Sequence, residues 1–94
     1  EAFDQYGFDL LIDEDTVVRS TTLRAMGVRR VTGWVRIMSR SLLDEDYVIQ
    51  RVAMDALLTD RHEGVKALKE YVALNPQARI SALARAELDR LGIR

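Results

Sequence analysis

Leu11-Ile12-Asp13-Glu14-Asp15 returns as Leu42-Leu43-Asp44-Glu45-Asp46, a step of 31 residues from position 11 to position 42. The same step carries Val17-Val18 onto Val48-Ile49, Ala25-Met26 onto Ala56-Leu57, Gly33-Trp34 onto Gly64-Val65 and Ile37 onto Leu68. A second step takes Leu43-Asp44 to Leu74-Asn75, Ile49 to Ile80, Val52-Ala53 to Leu83-Ala84 and Leu57 to Leu88. A backward step takes Gly33-Trp34, Ile37 and Leu42 to Ala2-Phe3, Tyr6 and Leu11. Agreement over three steps marks a repeat array, and a period of this length is that of a two-helix unit.

Within each unit the apolar spacing is helical. Val48, Val52, Ala53, Ala56 and Leu57 recur every three or four residues, as do Val65, Leu68 and Val72. Asp13 and Asp44 stand where an N-cap oxygen would accept from the free backbone donors of a helix start. The acids that follow suit the positive end of the helix dipole. Asn75-Pro76 repeats the signal with a capping residue and a proline at the first helical position, and Gly92 follows the last periodic residue as a C-cap would. Gly27-Val28-Arg29 and Thr59-Asp60-Arg61 read as short connections. The spacing predicts helices over 2–11, 14–26, 31–42, 45–58, 62–73 and 76–91. Val28 to Val35 is the only β-prone stretch, and Gly33 with the register favours helix there.

Composition excludes much chemistry. The chain has 94 residues, 48% apolar and 31% charged, with one histidine and no cysteine. That is one domain of ordinary globular composition. Disulfides, thiolate zinc sites and cysteine nucleophiles are impossible, and a multi-histidine metal cage or a triad is beyond this chain alone. No apolar run approaches the roughly 18–20 residues of a membrane span, and no signal peptide is visible. The expectation is a soluble, cytoplasmic protein without cofactor or metal. The chain opens on Glu1 rather than methionine, which suggests a processed chain or a piece of a longer one. The net charge of −1 predicts no general affinity for nucleic acid or membrane. Its distribution is uneven: residues 1–15 hold six acids and no base, residues 16–43 six arginines and no acid.

The residues Asp13-Glu14-Asp15-Thr16-Val17-Val18-Arg19, then Thr22 and Ala25-Met26-Gly27, resemble the opening of the short HEAT-type repeats, the class also seen in bilin lyases. The pattern returns as Asp44, Asp46, Ile49-Gln50, Ala53 and Ala56-Leu57, and a last copy keeps Ile80, Ala84 and Leu88. The motif arginine stands only at Arg19, with Gln50 and Ser81 in its place later, and Thr22 replaces an alanine. The resemblance implies an all-α, right-handed α-solenoid of antiparallel helix pairs, HEAT/armadillo-like, with about five helices. Its units would be a half repeat 1–12, repeats 13–43 and 44–74, and a C-terminal capping helix 75–94. Terminal units of such arrays need a polar outer side. Glu87 and Arg85, standing where earlier repeats have Ala56 and Met54, suit a genuine end. Phe3, Tyr6, Phe8, Leu10 and Leu11 have no preceding helix to cover them, so the array is expected to continue upstream, or to self-associate when it does not.

Few residues carry candidate chemistry. His62-Glu63 is one instance of the His-Glu pairs of a HEAT-type di-iron hydroxylase, and a metal site needs at least three converging ligands. The two acidic triplets lack the glycine and later glutamate of an EF-hand loop, and capping explains them. Trp34, sharing register with Phe3 and Val65, reads as core or core edge.

A non-catalytic protein-interaction scaffold is the leading expectation, because a helical array offers a broad rigid surface and no catalytic set is present. A nucleic-acid module using the arginines of 16–43 is the alternative, as is an accessory part of a HEAT-type lyase or hydroxylase. In helical arrays of the resembled type the second helix of each pair faces the partner. Arg29, Arg36 and Arg40, seven and four apart, would share one face there, with Tyr71 in the register of Arg40. Arginine and tyrosine are enriched in interface hot spots, so an acidic protein segment across Arg29, Arg36, Arg40 and Tyr71 is the expected partner. The competing account is that these arginines pair with acids of adjacent turns.

Overall fold

A computed structural model describes residues 10–93. Among them five complete helices and no strand occur: α1 (Thr16–Arg29), α2 (Trp34–Ser41), α3 (Tyr47–Leu58), α4 (Glu63–Leu74) and α5 (Arg79–Arg90). The helix expected over 2–11 lies outside the described residues except for Leu10 and Leu11, which are helical. Phe3, Tyr6 and Phe8 lie outside them as well.

Each helix touches only its next and next-but-one neighbours along the chain. The odd helices pack α1 on α3 and α3 on α5, and the even ones α2 on α4. Sequence neighbours bridge these two rows, and α1 makes no packing contact with α4 or α5. One core runs between the rows. Leu23 and Met26 from α1, Met38 from α2, Ile49, Ala53, Met54 and Leu57 from α3, Leu68 from α4, and Ile80 and Ala84 from α5 are buried in it. All three methionines are core residues, where the flexible thioether fills gaps between helices of differing side chains. Val48, expected on the buried stripe of α3, is about half exposed instead, and Ile49 takes its place.

The starts of α1 and α3 lie two residues later than the sequence suggests. Asp15 and Asp46, not Asp13 and Asp44, are the N-caps of α1 and α3, each accepting at 2.8 Å from the N–H two residues on, at Val17 and Val48. Asp13 and Asp44 instead accept at 2.8 Å from the N–H of Asp15 and Asp46, closing an Asx turn ahead of the cap. Both aspartates of each Asp-x-Asp are used. Asn75 does not cap α5, which begins after Ala78; its N–H and its side-chain amide both donate to the Tyr71 carbonyl and close α4. Pro76 therefore sits in the turn rather than at the first helical position.

Gly27 is a correction of another kind. It lies inside α1, which continues through Val28 to Arg29, and the left-handed position after the helix is taken by Arg30 at φ 52°. The Val31 N–H reaches the Met26 carbonyl at 3.3 Å across it. A left-handed arginine costs about 1–2 kcal/mol. Compensation comes from its guanidinium, which donates to Thr59 Oγ1 at 2.9 Å and lies 4.0 Å over the Trp34 ring. Gly33 (φ 78°) ends the turn before α2 rather than sitting within a helix, while its register partner Gly64 lies inside α4. Gly92 (φ 73°) closes α5 as expected, with Ile93 N–H donating to Leu88 at 2.8 Å.

The turn carboxylates make stability pH-dependent. The Thr16 hydroxyl, 2.8 Å away, and then the Val48 N–H hold Asp46 below the ordinary carboxylate range. The N–H groups of His62 and Gly64 do the same for Asp60, and Arg90 for Glu87. A carboxyl depressed in the folded state stabilises above its unfolded pKa, and that contribution is lost as pH falls through the folded value. Asp55, raised by burial, acts in the opposite sense. With three lowered groups against one raised, the urea midpoint should fall steadily below about pH 4. A midpoint that held or rose between pH 5 and 2.5 would contradict these assignments.

Candidate functional site

Among the described residues, one concavity is a groove of about 770 Å³. It is lined by Leu11 and Ile12, by Arg19 and Leu23 of α1, by Arg36, Ile37 and Arg40 of α2, and by Asp44 and Ile49. The helical period explains the α2 wall. Arg36 and Arg40 are four apart, so they stand on one face beside Ile37, while Met38 turns into the core.

Arg19 is committed inside the protein. Its guanidinium donates to the carbonyls of Asp13 (3.1 Å) and Glu14 (3.2 Å) and pairs with Asp44 at 3.5 Å. Its side chain is only 18% exposed, and its Nε is buried without a partner. Arg36 and Arg40 differ: both are exposed, and among the described residues neither has an ion-pair or hydrogen-bond partner. The groove therefore combines the apolar side chains of Leu11, Ile12, Leu23, Ile37 and Ile49 with the exposed guanidinium groups of Arg36 and Arg40.

The other two expected contact residues lie elsewhere. Arg29 is in the last turn of α1, across the Arg30–Gly33 turn from α2, so helical spacing does not relate it to Arg36. Tyr71 is half-buried against the core on α4, and burial pushes its phenol pKa up. Lys66 and Lys69 line a separate, shallower cleft of about 420 Å³ with Arg61 and His62. The cations of the two even helices thus line two separate depressions, Arg36 and Arg40 one and Lys66 and Lys69 the other. Arg24 faces Asp55 in a third concavity and Arg30 is occupied by Trp34, so the six arginines of 16–43 do not form one stripe. Sequence reasoning missed Leu11, Ile12 and Arg19 as groove residues. A signal was available in the unmatched arginine at a position that later units fill with Gln50 and Ser81.

Those three residues share one task. Arg19 donates to the Asp13 carbonyl at 3.1 Å, Gln50 to that of Asp44 at 2.5 Å, and Ser81 to that of Asn75 at 2.7 Å, each six residues back. Only Arg19 is long enough to reach the following turn as well, at Asp44.

No group of three or more His, Asp or Glu among the described residues could hold a metal ion. His62 is exposed at the start of α4. No helix among the described residues is long and apolar enough to cross a membrane. Compared with known proteins, the chain matches no family model, no curated protein and no solved structure.

Proposed function

We propose that the chain is a non-catalytic protein-interaction module, built as a short HEAT-type right-handed solenoid, whose groove takes an acidic segment of a protein partner. The observation that carries this is the pair Arg36 and Arg40, exposed and unpartnered among the described residues at the rim of an apolar groove. Arginine presents a rigid fork that pairs bidentately with carboxylates, and the apolar side chains lining the same groove add burial. The solenoid reading is supported by the two rows of helices, by contacts confined to near neighbours, and by the register of the Arg19, Gln50 and Ser81 bonds.

The test uses a synthetic peptide in which glutamates alternate with leucines, against a lysine–leucine peptide of equal length. Arg36→Glu with Arg40→Glu should weaken the acidic peptide at least tenfold, which is about 1.4 kcal/mol. The fold should survive, because changes at exposed positions shift stability by only about ±0.5 kcal/mol. Full affinity in the double variant, or its unfolding, would overturn the proposal. So would preference for duplex DNA with a steep salt dependence, the mark of a nucleic-acid module.

A further inference from the structure

Six large apolar residues among those described are strongly exposed, and five fall in two positions of the 31-residue register. Ile12, Leu43 and Leu74 occupy one, at 80%, 67% and 82% exposure, and Val17 and Val48 the other. Single exposed apolar residues are ordinary and need no explanation. Recurrence at the same turn three times does, because the core makes no use of these side chains: beside them Leu42 is fully buried while Leu43 is not.

Hydrogen bonds and ring contacts place the three turns side by side. The Thr16 hydroxyl donates to Asp46 at 2.8 Å and Arg19 reaches Asp44, joining the first turn to the second. The Arg79 guanidinium lies 3.8 Å over the Tyr47 ring, joining the second to the third. Ile12, Leu43 and Leu74 therefore form a row along one edge of the molecule. Their step follows the packing of α1, α3 and α5, and packed helices lie about 8–10 Å apart.

We propose that this edge, which meets the groove at Ile12, is a second docking surface, for a basic amphipathic helix of a protein partner. A helix advances about 10.5 Å in seven residues, so one laid across the row would set an apolar side chain from every seventh position on each knob. The charge of that helix follows from the residues next to the knobs in the chain. Asp-Glu-Asp follows Ile12 and again follows Leu43, and the exposed Glu14 and Glu45 side chains have no partner among the described residues. Lysines or arginines flanking the partner's apolar positions would meet these carboxylates, and an anionic membrane surface would be repelled by them.

The measurement is fluorescence anisotropy with a synthetic helix of about three heptads, leucine at every seventh position and lysine or arginine beside it. A peptide of the same composition with the leucines moved out of period is the control. The periodic peptide should bind at least tenfold more tightly than the control. Leu43→Ser with Leu74→Ser should remove that advantage, and Arg36→Glu with Arg40→Glu should leave it intact, which separates this surface from the groove. Equal binding of the two peptides, or full binding by the leucine variant, overturns the proposal. Two other results overturn it by naming a different occupant: a dimer in sedimentation that the leucine variant abolishes, or capture by phosphatidylserine vesicles that the same variant abolishes.

Discussion

Gly64→Ala should cost about 3 kcal/mol of folding stability, although the same change inside an ordinary helix gains about 1 kcal/mol. Gly64 is buried in the first turn of α4, where α3 turns back. A Cβ built there overlaps the Leu57 carbonyl oxygen and stands 3.0 Å from the Asp60 Cβ. Neither neighbour can yield cheaply. Leu57 is fully buried in α3, and Asp60 accepts from the N–H groups of His62 (3.1 Å) and Gly64 (3.2 Å) to hold the α4 start. Relief therefore requires α3 and α4 to separate, which loosens Leu57, Val65 and Leu68 together. For a domain of this size the melting midpoint should fall by roughly 12–24 °C. Gly33→Ala is the control, because a Cβ there meets nothing within 4 Å and only the left-handed φ of 78° is penalised. If Gly64→Ala melted at or above the parent temperature, the close approach of the two helices would be wrong.

That pair of glycines shows what a repeat register can and cannot say. Gly33 and Gly64 align in the sequence, and both are glycine, yet one answers a backbone angle and the other a steric contact. A sequence carries the residue type but not which constraint selected it. The all-helical class was legible because the apolar spacing is helical over 48–57 and 65–72 and recurs at the 31-residue step, and the short turns because their Asp-x-Asp pairs recur. Cap positions were displaced because Asp13 and Asp15 are equally good acceptors, and only the geometry assigns one to the Asx turn and the other to the helix. The end of α1 was misplaced for a related reason. Gly27 resembles a stop signal, but a Cβ there would stand 3.1 Å from both the Ala56 Cβ and the Met38 Cε, so the glycine serves helix packing and the chain turns at Arg30 instead.

The candidate groove was legible in half. Arg36 and Arg40 follow from helical spacing on one short helix, a local property. Leu11, Ile12 and Asp44 join them only because separate turns stack, and stacking distances are not encoded in any local pattern. Tyr71 was grouped with Arg40 by register, and it packs against the core because its helix has a different set of neighbours.

Arg19→Ala should cost about 2 kcal/mol, the second largest effect expected here. Exposed ion pairs contribute little, but this side chain is 18% exposed and serves three acceptors at once: two turn carbonyls and the Asp44 carboxylate. Its buried, unpartnered Nε is a cost that truncation relieves, which keeps the expected loss below the sum of the three bonds. Arg19→Gln separates the local from the inter-turn share. Glutamine at the equivalent Gln50 already reaches the Asp44 carbonyl, so Arg19→Gln should keep the bond to Asp13 and lose only the reach to the next turn, at about half the cost. Asp44→Asn, which retains an oxygen for its own Asx turn, should then cost clearly less in the Arg19→Gln background than beside the parent arginine, because both changes remove the same contact and so are not additive. Because Arg19 also lines the groove, with Ile12 and Asp44, Arg19→Ala should weaken the acidic peptide more than its loss of a positive charge alone. Equal stability for the alanine and glutamine variants in urea denaturation would show that the carbonyl bond shared by Arg19, Gln50 and Ser81 contributes nothing at position 19, and that the arginine acts through Asp44 alone.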